Sequence, residues 1–197
     1  MKALLFLNGE APKYYPDFVN YDAIFCADGA YNYLVKNNLF PDVVLGDLDS
    51  IDSIDSDITL IELPDQNFTD FEKSLLEIKK KYSEIHVYGA SGKEQDHFLG
   101  NLSVATKYKN DLNITFFDDV QSYFIAPYNC IIQTSLGKII SLIPMSEVKE
   151  VTSAGLKYEL EKVNLIFNSC ISIRNEAISE QVEISHEGGD LIIFVER

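Results

Sequence analysis

Apolar and polar positions change rhythm near the middle of this 197-residue chain. In the first half, short apolar runs at 3–7, 23–27, 43–46, 59–63, 85–88 and 114–117 are too brief for core helices and read as buried strands. Between several of them apolar residues recur every three or four positions, which predicts helices over 29–38, 69–82 and 96–109. The middle helix is the best specified: Phe71, Leu75, Ile78 and Tyr82 fall on one face. Thr69 and Glu72 have the spacing of a capping box, and Lys79, Lys80 and Lys81 stand at the C-terminal end, where a helix favours positive charge.

After about residue 120 the helical period is gone. Strand-like runs follow at 122–126, 130–134, 139–143, 165–168, 171–173, 181–184 and 191–195, with turn-like residues at 127–129, 136–138, 153–155 and 187–190 between some of them. Strand–helix alternation predicts a mostly parallel sheet covered on both faces, and the second rhythm predicts a small antiparallel sandwich. The expected architecture is an N-terminal Rossmann-like α/β domain over 1–125, followed by a smaller β-sandwich domain over 126–197.

Composition narrows the partners. Hydrophobic residues make up 46% of the chain, and Gly and Pro together number only 16 (10 and 6), as in an ordinary globular protein. The formal charge of −15, from 31 acids against 16 bases, argues against nucleic acid and membrane as partners. A cationic ligand, or an anion carried with a divalent metal, suits such a surface. Cys26, Cys130 and Cys170 lie far apart in apolar runs and read as buried free thiols in a reducing compartment. The N-terminal apolar run is too short for a signal sequence, and no run reaches membrane-spanning length; the expectation is a cytoplasmic protein.

Candidate chemistry gathers where strands of the first half end. Asp47 and Asp49 follow the strand ending at Gly46; in extended chain they point the same way, roughly 6–7 Å apart. At the carboxyl edge of an α/β sheet such a pair suits a hard divalent cation holding phosphate, though a solvated acidic loop has the same pattern. The stretch from Asp65 to Lys73 contains Gln66, Thr69 and Asp70. Thr69 and Asp70 are equally explained as residues of a helix start. The loop from Tyr88 to His97 has Gly89, Gly92 and Lys93, and could cradle phosphate at the start of the next helix, with Asp96 as its N-cap. Asp28 and Gly29 form another strand-to-helix turn. Four strand-end loops each present an Asp, which fits a cleft for a metal–nucleotide complex. There is no Walker loop, no G-x-S-x-G elbow and no zinc-ligand spacing.

In series, ADGAYNYL, PDVVLGDLDSI, DQNFTDFEKSL, YGASGKEQDHFLGNL, SLIPMSE, VTSAGLKYEL and RNE resemble the thiamine pyrophosphokinase family along nearly the whole chain. The resemblance implies an ATP-binding α/β domain, a thiamine-binding β-sandwich and a homodimer with active sites at its interface. It implies transfer of the pyrophosphoryl group of ATP to the hydroxyethyl oxygen of thiamine, giving thiamine diphosphate and AMP. By motif, Asp47, Asp49 and Asp70 resemble the magnesium-binding carboxylates, and Asp96 an active-site aspartate. Gln66 and Thr69 resemble substrate- and phosphate-contacting positions, Asp28 and Gly29 the nucleotide-side loop, and Asn101 a residue of the LGNL segment. Tyr158 stands where the family places an aromatic residue against thiamine, and Asn175 and Glu176 match a Ser-Asn-Glu turn. Glu94 stands where many members have Arg, with Lys93 as an alternative cation beside it, and Arg174 replaces the Ser. From the residues alone, a phosphatase of the haloacid dehalogenase type and a metal- or nucleotide-sensing module are the alternatives.

Overall fold

The period-two alternation of a strand sends neighbouring side chains to opposite faces, and this decides how the first sheet is covered. The computed structural model describes residues 1–46 and 57–197, with Asp28 described by its backbone alone. Two units are present, Met1–Asp119 and Val120–Arg197.

In the first unit, β1 (Lys2–Phe6), β2 (Ala23–Ala27), β3 (Val43–Gly46), β4 (Thr59–Glu62), β5 (Glu84–Tyr88) and β6 (Asn113–Phe117) pair in the order β6-β5-β1-β2-β3-β4, every pairing parallel. Helices α1 (Asp28–Lys36), α2 (Asp70–Ile78) and α3 (Gln95–Tyr108) connect them. Leu4, Phe6, Ile24, Cys26, Val44 and Tyr88 share one core with Ala30, Tyr31 and Leu34 of α1. The alternate positions face the other way: Phe116 meets Phe71 of α2, and Phe25 meets Tyr82, each pair with ring centroids 5.7 Å apart. This is the expected two-sided α/β layer.

The second unit is an all-antiparallel sandwich. β7 (Gln121–Ile125), β9 (Ile139–Pro144), β12 (Ser172–Glu176) and β14 (Leu191–Glu196) form one sheet in the order β12-β9-β14-β7. β8 (Asn129–Gln133), β10 (Glu147–Ala154), β11 (Val163–Ile166) and β13 (Gln181–Ser185) form the other, ordered β11-β10-β13-β8. Inward positions of both, among them Ile140, Leu142, Val148, Val151, Val182 and Ile193, make a single core.

Several local expectations are corrected. The longest strand of the sandwich, β10, carries three charged residues in eight and gives no apolar run, so its pattern is invisible in sequence; Ala154, read as a turn residue, is its last member. β4 is largely exposed, because it is the edge of its sheet. The capping box is half formed: Thr69 Oγ1 accepts from Glu72 N–H at 3.2 Å, worth about 1 kcal/mol. The Glu72 carboxylate instead accepts from Lys107 Nζ at 2.6 Å and Tyr108 Oη at 2.8 Å, joining α2 to α3. α3 begins at Gln95 with Glu94 before it, so Asp96 lies inside the first turn and is not the N-cap. Of the cysteines only Cys26 is buried; Cys130 is half-buried on β8, and Cys170 is exposed in the tight turn closed by its N–H to Ile166 O. Among the described residues no helix is long and apolar enough to cross a membrane.

Candidate active site

All strands of a parallel sheet end on one edge, so the loops leaving β1, β4 and β5 are gathered there. Beyond β1 and β5 the backbones stay paired: Leu7 N–H donates to Tyr88 O, Gly9 N–H to Gly89 O at 2.7 Å, and Glu10 N–H to Ser91 O at 2.8 Å. The approach leaves no room for a side chain at Gly9, where a Cβ would stand 2.2 Å from Gly89 O and 2.5 Å from Ser91 O. The Tyr33 hydroxyl donates to Leu7 O at 2.9 Å. Burial, with smaller contributions from Cys26 and Tyr15, pushes its pKa up, so the group stays a neutral donor.

Above this floor lies a cleft of about 480 Å³ within the first unit. Asn8 and Gly9 come from beyond the end of β1, Gln66 to Lys73 from the β4–α2 connection and the first turn of α2, and Gly89 to Asn101 from the β5–α3 connection and the start of α3. Gln66, Thr69, Asp70, Lys93, Asp96 and Asn101, singled out in the sequence, all line it. Asp65 Oδ1 accepts from the backbone and side-chain N–H of Asn67, at 2.9 and 2.8 Å, which turns the chain ahead of α2. Asp70 Oδ1 pairs with Lys73 Nζ at 2.7 Å. Asp96 Oδ1 accepts from His97 N–H at 2.9 Å. Asn101 Nδ2 donates to Ala90 O at 2.9 Å, so α3 pins the glycine-bearing loop. Lys93 Nζ donates to Asn8 Oδ1 at 3.2 Å.

Gly29 acts from beneath. A Cβ there would meet Asn8 Nδ2 at 2.3 Å, so its glycine lets α1 seat the Asn8 side chain. Asp28 opens α1, with its side chain outside the described residues. Asp47 and Asp49 also lie outside them. Described β3 ends at Gly46, at the same edge as β4. Among the described residues no group of three or more metal-ligating side chains is assembled. Asp70, its side chain 65% exposed in the cleft, and Asp96 are nonetheless hard oxygen donors of the kind magnesium takes. Sequence reasoning missed Asn8, Gly9 and Lys73. The Asn-Gly that follows an apolar strand was the available signal for the first two; nothing local marks Lys73 as buried.

The remaining three expected residues meet in the second unit. A register irregularity between Ser172 and Asn175 on β12, with Arg174 at φ +56°, turns the Asn175 side chain inward to 2% exposure. Its Oδ1 accepts from Tyr158 N–H at 3.0 Å and Glu176 N–H at 2.9 Å, and its Nδ2 donates to Tyr158 O at 2.7 Å. Lys157 Nζ and Glu176 pair at 3.0 Å. The Tyr158 ring, held by its own backbone, is 67% exposed.

Two family profiles match, described as the thiamin pyrophosphokinase catalytic domain over residues 17–116 and the thiamin pyrophosphokinase vitamin B1 binding domain over 129–190. Thiamin pyrophosphokinase 1 of Caenorhabditis elegans is 30% identical over 189 residues, covering 86% of this chain and 76% of the relative. Thiamine pyrophosphokinase 1 of Arabidopsis thaliana is 28% identical over 94% of this chain and 82% of the relative. The solved thiamin pyrophosphokinase of Geobacillus thermodenitrificans superposes with a TM-score of 0.85 at 24% identity, over 100% of this chain and 98% of that one. With both profiles in place along the sequence and the same fold beneath them, the chain belongs to the thiamin pyrophosphokinase family of enzymes.

Proposed function

We propose that this chain transfers the pyrophosphoryl group of ATP to thiamine. The observation that carries the reading is the polar cleft at the strand ends, built by the same loops that carry the family motifs. The hydroxyethyl oxygen of thiamine attacks the β-phosphorus, the bond from that phosphorus to the oxygen of AMP breaks, and the hydroxyl proton leaves to solvent or to a nearby carboxylate. AMP is a good leaving group, so positioning and charge neutralisation supply most of the catalysis.

Asp47, Asp49 and Asp70 would hold magnesium, which when bound neutralises charge on the triphosphate. Asp96, which lines the cleft, would orient the attacking hydroxyl. Gln66, Thr69, Lys93 and Asn101 bind or shape the nucleotide side, with Asp28 and Gly29 beneath it. Tyr158 offers its exposed ring to the cationic thiazolium, while Asn175 and Glu176 hold the turn that presents it. A homodimer with sites at its interface and a cytoplasmic location complete the proposal; nucleic acid and membrane are not partners in it.

The test is direct. Purified protein is given ATP, magnesium and thiamine, each omitted in turn, and AMP and thiamine diphosphate are measured. The proposal expects both products only in the complete mixture; AMP formed equally without thiamine overturns it. Asp70→Asn should lose most turnover while remaining folded.

A further inference from the structure

Side chains on a helix lean toward its N-terminus, so a lysine one turn into α2 can reach back over the helix start. Lys73 does this. Its side chain is 5% exposed, yet it lines the cleft. Its Nζ lies 2.7 Å from Asp70 Oδ1 and donates to Leu63 O at 3.3 Å, where the chain has just left β4. Burying an ammonium is strongly unfavourable unless its donors are answered. An ammonium has three, and among the described residues two are answered. Leu63 belongs to the β4–α2 connection and Asp70 opens α2, so the charge is fixed in direction and position beside the cleft.

The acids Asp70, Glu94 and Asp96 line the same cleft, which by themselves would repel a polyphosphate. Lys93, the cation suggested by sequence, is exposed, and its long side chain donates to Asn8 Oδ1 at 3.2 Å within reach of solvent. A buried ammonium is the better anchor, because its rotamer is already set and its charge is weakly screened.

We propose that Lys73 is a polyphosphate-binding residue of the cleft, with Asp70 and the Leu63 carbonyl positioning its ammonium toward phosphate oxygens. The inference rests on the pyrophosphokinase reading for the identity of the nucleotide, while the charge and its place are properties of this fold.

The experiment measures binding of inorganic tripolyphosphate, with magnesium present, to the full chain and to Lys73→Met, Lys73→Gln and Lys73→Arg, each checked for an unchanged melting profile. Met and Gln should weaken tripolyphosphate binding roughly 10- to 100-fold, the range for losing a charge-assisted hydrogen bond. Binding of adenosine should change little, and Arg should recover most of the loss. A purely structural lysine would give the reverse order, since Met and Gln fit its volume better than a guanidinium. Equal tripolyphosphate affinity in the wild type and Lys73→Met overturns the proposal, whatever the enzyme's activity. A wild type that makes no thiamine diphosphate, with the Lys73 effect intact, removes the functional reading and leaves this site standing.

Discussion

His86, in the middle of β5, gives the fold a built-in sensitivity to mild acid. Its Nδ1 meets the Tyr21 hydroxyl at 3.0 Å, and its ring lies 4.7 Å from that of Phe117. Burial, helped by Lys2 and opposed by Glu84, lowers its pKa from 6.5 to about 4. The unfolded chain therefore binds a proton between those values that the folded chain refuses. Stability is full above pH 6.5 and is lost as pH falls toward 4. At about pH 5 the linkage amounts to ~2 kcal/mol for the full shift, and solvent around the partly open ring reduces it to about 1 kcal/mol. His86→Phe keeps a ring against Phe117 but cannot titrate. Urea unfolding of both proteins at about pH 7.5 and about pH 5 isolates the effect, because all other acids are shared. The wild type should lose about 1 kcal/mol more than the variant on going to the lower pH. Equal losses in the two proteins would refute the reasoning.

Other perturbations act on the clasp, the floor and the turn. Glu72→Gln should cost about 2 kcal/mol in chemical denaturation, since it removes the charge shared with Lys107 and Tyr108. The Glu72 pKa is raised by burial but lowered on balance by those two partners, so the same contribution should fade in wild type only as pH falls below the ordinary carboxylate range. Gly9→Ala should separate the 7–10 and 88–91 segments and depress turnover at least tenfold with a smaller change in melting temperature, because the clash is with backbone carbonyls under the cleft. Asn175→Ala strands the Tyr158 backbone groups; we expect a loss of about 2 kcal/mol and a raised KM for thiamine, with KM for ATP unchanged.

Much of this molecule is legible in its sequence, for a local reason. A strand of a buried parallel sheet is a run of apolar residues, and a helix between two such strands repeats its apolar face every 3.6 residues, so β1, β2, β3, β5, β6 and all three helices could be placed. Gln66, Thr69, Asp70, Lys93, Asp96 and Asn101 of the cleft follow from the same logic, because loops at the carboxyl ends of those strands share one edge whatever their side chains. Three things needed the tertiary structure. β10 has neither an apolar run nor a strict alternation, since Lys149 and Glu150 stand together between Val148 and Val151, and only its partners β11 and β13 define it as a strand. Glu72 has the spacing of a capping residue but finds stronger partners 35 and 36 residues away on α3. Lys73 reads as a solvated lysine on a helix, and its burial depends on where β4 ends relative to α2. Spacing along a chain records what an isolated element prefers. Which competing partner a polar side chain finally takes is decided by the elements packed around it.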